Sequence, residues 1–119
     1  MLPPEVYKII HLLGIAWLFF VLGGATLHAL NGGDKASNNS RKLMAASHGV
    51  ALVIILVAGF GMLGGKQMGT WVFLKFALWL VLGASLALIQ KKPGLAKALW
   101  FVLPLLAAAG AYLAVYKPG

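Results

Sequence analysis

The stretch IIHLLGIAWLFFVLGGATLHAL, residues 9–30, carries no formal charge and follows Pro3-Pro4. A helix needs about 20 consecutive apolar residues to cross the hydrocarbon core of a bilayer. Proline suits the start of such a helix, because the amides of the first turn have no intrahelical partners to lose. The run therefore predicts a membrane-spanning helix over about 4–30, long enough that its ends project or the helix tilts. The apolar region of a cleaved signal peptide is shorter, about 7–15 residues, so the run is read as a permanent span.

The same pattern recurs outward from it. NGGDKASNNSRK (31–42) has the Gly, Asn, Ser and charge of a loop. A second helix is expected over about 41–64, a tight connection at 66–69, and a third helix over about 70–90 opened by Trp71. KKPG (91–94) breaks the chain, since the residue before a proline is pushed out of helical conformation. A fourth helix follows over about 95–116, and Pro104 near its middle is expected to kink it. The expected fold is all-α: an integral membrane four-helix bundle with up-down-up-down topology, a single transmembrane domain over 1–119. Composition agrees, with 61% hydrophobic and 10% charged residues in 119, against roughly 45–50% apolar residues in soluble domains. That length leaves nothing for a soluble catalytic domain. The chain has no cysteine, which excludes disulfides, thiolate nucleophiles, iron–sulfur clusters and Cys-ligated zinc.

Ten Lys and Arg residues stand against two acids, Glu5 and Asp34, for a net charge of +8. The basic residues lie at the ends of the apolar runs, where anionic headgroups meet them, so the expected partner is the lipid bilayer and not nucleic acid. Lys35, Arg41, Lys42, Lys91, Lys92 and Lys97 fall on one side, and Lys8, Lys66 and Lys117 on the other. Positive loops are retained in the cytoplasm, which predicts both termini outside and loops 31–41 and 91–94 cytoplasmic, in a bacterial inner membrane. Gly61 with Gly65, Ala107 with Ala111, and Gly110 with Ala114 have the four-residue spacing that lets helices approach closely in lipid. They are read as packing within one chain, while a homo-oligomer and a subunit of a membrane complex stay open. Trp71 and Trp100 are expected at the interfaces, Trp17 and Trp79 in the core.

Polar groups inside hydrocarbon are expensive, so each marks a candidate site. At 1.5 Å per residue, His28 lies roughly 5 Å and His48 roughly 9 Å in from the same side, while His11 lies roughly 10 Å and Lys75 roughly 8 Å in from the other. Two layers are therefore expected, His28 with His48 and His11 with Lys75. Paired imidazoles on neighbouring helices can ligate a haem iron. Gly24 and Ala25 near His28, Ala51 near His48 and Gly14 near His11 offer clearance for a flat ring. Nothing beside His11 in sequence, except Tyr7 and Lys8, can partner it. No carboxylate lies inside a helix to support metal-dependent hydrolysis, and a Ser-His-acid arrangement lacks its acid.

VYKIIHLLGIAW at the start, the RK opening of the second helix, the W-x-x-x-K of Trp71 to Lys75 and the closing PLLAAAGAYLAVYKPG together resemble the HemJ-type protoporphyrinogen oxidase family and its CopD-like four-helix membrane relatives. The resemblance runs through most of the chain in order and spacing, and the chain departs from it at FFVLGGATLHAL. It implies a haem b protein acting in electron transfer or protoporphyrinogen IX oxidation, with His11 and Lys75 as the catalytic, cofactor-binding pair and porphyrinogen as substrate. His28 and His48 are not positions that the resemblance carries over; from the residues alone they remain candidate cofactor ligands. Two other readings stay open. One is a non-enzymatic subunit or assembly factor. The other is a metal-handling or transport protein using His11, His28 and His48, whose imidazoles suit Cu or Zn.

Overall fold

The computed structural model describes residues 2–65 and 67–117. Lys66 of the expected 66–69 connection and the last two residues of the closing KPG lie outside them. The described residues form four α-helices: α1 Pro4–Leu30, α2 Arg41–Leu63, α3 Thr70–Lys91 and α4 Ala96–Tyr116, the last entered through a 3₁₀ turn at Pro93–Leu95. Each span is long and apolar enough to cross a membrane.

Local chemistry sets the ends. Pro3, extended at φ −61° and ψ 152°, leads into Pro4 at the first turn of α1. Gly64 and Gly65 stop α2 with φ of +56° and +85°, a left-handed conformation that glycine adopts without steric penalty. Gly65 is thus a terminator, so the expected Gly61–Gly65 packing pair does not form. Gly61 instead lies beneath the Tyr7 ring. Helix α4 continues without interruption through Pro104; the missing N–H leaves the Trp100 carbonyl without its intrahelical donor, but it does not break the helix.

Helix α1 is the centre of the bundle, with 39% of its most apolar window buried against 6% for α4. Leu18, Leu22 and Ala25 of α1 form the core with Ala51 of α2, Leu82, Leu86 and Ile89 of α3, and Leu103 of α4. The partly buried Trp17 packs on this cluster, and the Trp79 indole N–H donates to the Leu52 carbonyl at 2.9 Å. Trp100 is exposed. Thr26 and Ser85 donate back to the carbonyls of Leu22 and Val81, at 2.6 and 2.9 Å; hydroxyls satisfied this way carry no unpaired donor into an apolar surrounding.

Contacts between α1 and α2 run in reversed order: Tyr7 meets Gly61, His11 meets Gly59, Gly14 meets Ala51 and Ile54, and Gly24 meets Met44. The same reversal links α2 to α3, through His48 to Leu82 and Leu52 to Trp79. It links α3 to α4 through Trp71 to Lys117 and Leu78 to Gly110. Tyr7, the C-terminal turn of α2, Trp71 and Lys117 therefore share one end of the bundle, called here the Trp71 end, and His28 lies toward the other. The longest dimension is 45 Å, more than the roughly 30 Å of a bilayer's hydrocarbon core.

Candidate functional site

His11 is buried on α1 between α1 and α2. Its Nδ1 lies 2.8 Å from the Ile55 carbonyl oxygen. A carbonyl only accepts, so Nδ1 carries the proton, and the neutral ring keeps its lone pair on Nε2. That Nε2 is buried with no hydrogen-bond partner among the described residues. The partner of His11 is thus neither Tyr7 nor Lys8 but a backbone atom one helix away. Gly59 makes the close approach possible: a Cβ there would stand 3.2 Å from the ring's Cε1.

Lys75 lies at the same level. It precedes Trp79 by one turn on α3, and Leu56 follows Leu52 by one turn on α2; given the Trp79–Leu52 bond and the reversed order, Lys75 falls level with Leu56, the residue after the Ile55 that accepts from His11. The ammonium reaches back toward the Trp71 end and stands 6.0 Å from the Trp71 ring centroid, while that of Lys117 stands 5.4 Å from the same ring. Both lie at the cation–π range of about 6 Å. In the sequence Lys117 stands out only as a topological charge; its spacing one turn beyond Leu113, at the end shared with Trp71, was the available signal.

His28 and His48 do not share a layer. His48 Nε2 donates to the Leu82 carbonyl at 3.3 Å. His28 Nε2 donates to the Asp34 carbonyl at 2.8 Å, with Ser37 Oγ at 3.2 Å, in a small cleft that also includes Ile89 and Gln90. Leu82 and Ile89 are roughly 10 Å apart along α3, so the expected inner pair is split in depth. Nor do the three histidines gather: no group of three or more His, Asp or Glu placed to hold a metal ion occurs among the described residues.

The expected ring clearances are also occupied. A Cβ at Gly14 would stand 2.9 Å from Ile54 Cγ2 and Ile55 Cγ1, and Met44 Cε fills the space at Gly24. Ala25 and Ala51 are core residues. At Gly14 and Gly24 the α1–α2 seam is filled, so a porphyrin on His11 would need these side chains to shift. As donors, however, the His11 Nε2 fits a haem iron and the Lys75 ammonium fits a propionate.

The His28 loop is held by Asp34. The Ser37 backbone N–H donates to Asp34 Oδ1 at 2.8 Å, and the Asp34 N–H donates to Ser37 Oγ at 3.0 Å. Hydrogen bonding from the Ser37 backbone and then from its side chain holds the fully exposed Asp34 carboxyl below the ordinary Asp value. A depressed folded-state value means the contact is present above the unfolded value and lost as pH falls through the folded one. The Ser37 amide resonance in detergent micelles should hold steady down to the ordinary Asp range and move only below it. A midpoint at or above about 4 contradicts this, and Asp34→Asn should remove the transition.

No protein-family model, curated protein or solved structure matches the chain. The resemblance read from VYKIIHLLGIAW, the RK opening of the second helix, Trp71 to Lys75 and PLLAAAGAYLAVYKPG therefore rests on those motifs alone.

Proposed function

We propose that the chain is an integral membrane protein, an up-down-up-down bundle that holds haem b at His11 and Lys75 and acts in electron transfer or porphyrinogen oxidation, as the HemJ-like resemblance implies. One observation carries this reading: an imidazole with Nδ1–H pinned on a carbonyl and Nε2 buried without a partner. That is the arrangement in which histidines bind metals, the acceptor on the other ring nitrogen fixing the tautomer and the ring. A buried acceptor left unpaired costs about 1–3 kcal/mol, which a ligand on Nε2 removes.

Bound haem b supplies one-electron redox chemistry. The chain's own residues supply the rest. His11 would hold the iron through Nε2, while Ile55 fixes the imidazole and Gly59 lets it lie against α2. Lys75 attracts a carboxylate, since an ammonium with no acidic partner gains most from an anionic ligand. The propionates of haem or of a porphyrinogen substrate are such anions. The spans around them exclude water.

The test is an absorption spectrum of protein purified in mild detergent, with haemin added. A Soret band shifted from that of free haemin, saturating at one haemin per chain, is the expected result. A spectrum that is the sum of protein and free haemin overturns the reading.

The reversed helix contacts support the up-down-up-down course, and the uneven basic residues support an orientation with both termini outside a bacterial inner membrane. Reporter fusions within 31–40 should read cytoplasmic, and a fusion after residue 119 should read external. Fusions that report the same side exclude this topology.

A further inference from the structure

The groove between α3 and α4 is separate from the His11 imidazole. It is an open trough of about 490 Å³, lined by Leu74, Ala77 and Leu78 of α3 and by Ala109, Tyr112 and Leu113 of α4. The two alanines give it depth, and Leu78 against Gly110 closes its floor. Trp71 stands one turn before Leu74, and Lys117 one turn after Leu113, so the indole that both Lys75 and Lys117 approach lies just beyond the trough's lining.

Two features of this end call for a ligand of one kind. The ammonium groups of Lys75 and Lys117 both approach a single ring. Neither has a carboxylate within ion-pair distance among the described residues: Glu5 is exposed on α1 without such a pairing, and Asp34 is engaged with Ser37 in the loop at the opposite end. The α3 lining from Leu74 to Val81 runs about 10 Å, and Trp71 stands about 5 Å further on; together they match about half of the roughly 30 Å hydrocarbon core. An indole at that end suits headgroup level, where tryptophan is favoured.

We propose that this groove binds an anionic phospholipid, its phosphate between Lys75 and Lys117 and one acyl chain along the trough. The dication rejects a zwitterionic headgroup relative to an anionic one, and the apolar lining rejects a free anion. This inference stands without His11. Lys117 and Ala109 belong to the groove alone, so the lipid and haem readings can fail separately.

The test is native mass spectrometry of the haem-free full chain in non-denaturing detergent, titrated with phosphatidylglycerol and, separately, with phosphatidylcholine. One phosphatidylglycerol per chain should be retained in preference to phosphatidylcholine. Lys117→Ala should weaken phosphatidylglycerol about fivefold, the factor one lysine contributes near an anionic surface, and leave phosphatidylcholine unchanged. Ala109→Phe, at an exposed position, should fill the trough and weaken both lipids without lowering the melting temperature. His11→Ala should leave lipid binding intact. Equal retention of the two lipids by the parent chain, or phosphatidylglycerol binding unchanged in both groove variants, overturns the proposal.

Discussion

Replacing His11 with alanine is expected to abolish the haemin-induced Soret band, weakening haemin by at least about 100-fold. Loss of second-shell support alone costs metal sites about 10–100-fold, and this substitution removes the donor itself. Lys75→Ala should weaken haemin about 10–100-fold, the range of a hydrogen bond to a charged group, and should leave the spectrum of the saturated protein unaltered. His28→Ala and His48→Ala should stay within about twofold of the parent. Folding separates a ligand role from a structural one. His11→Phe keeps the ring's bulk and deletes the orphaned Nε2, so a protein that uses His11 only as a ligand should melt in its haem-free form at or above the parent temperature. If His11 instead serves α1–α2 packing through its bond to Ile55, His11→Phe melts lower and haemin binding is retained or was never present. Loss of the band in His28→Ala or His48→Ala, with His11→Ala unaffected, moves the site to the opposite end of the bundle.

The helices were legible because the chain carries strong punctuation between apolar runs. Pro3-Pro4, Gly64-Gly65 and KKPG stand where backbone conformation must change, and the structural helices begin and end beside them. The shared depth of His11 and Lys75 was legible too, since distance along a helix follows from residue number once the ends are known. Lateral relations were not. The acceptor for His11 is the Ile55 carbonyl, and a backbone oxygen leaves no mark in composition. Gly14 and Gly24 announced that something could approach the α1 backbone; only packing says that Ile54, Ile55 and Met44 do so. His28 and His48 came apart for a related reason. Counting inward from loop ends places each on its own helix, whereas His48 bonds the Leu82 carbonyl within α3 and His28 bonds Asp34 and Ser37 in the loop.

Gly14→Leu should be the most destabilising single change in the seam, and it should carry the candidate site with it. A Cβ at this position would stand 2.9 Å from two isoleucine side-chain carbons and 3.2 Å from the Ala51 carbonyl oxygen. The isoleucines can shift, but the oxygen belongs to the α2 backbone, so the two helices must separate. Overpacking of a filled core costs about 1–3 kcal/mol, occasionally more, and a side chain of four carbons lies at the upper end. The gain from replacing glycine within a helix is at most about 1 kcal/mol, too small to offset that. Gly23→Ala isolates this gain, because a Cβ at Gly23 meets nothing within 4 Å; its melting temperature in detergent should rise slightly, while that of Gly14→Leu falls by several degrees or more. Ile55 both blocks Gly14 and accepts from His11, so moving it to admit leucine disturbs the bond that orients the imidazole. Haemin affinity of Gly14→Leu should therefore fall at temperatures where the variant is still folded, whereas Gly23→Ala binds as the parent does. A Gly14→Leu protein that melts at or above the parent temperature would mean that α1 and α2 do not meet at this position.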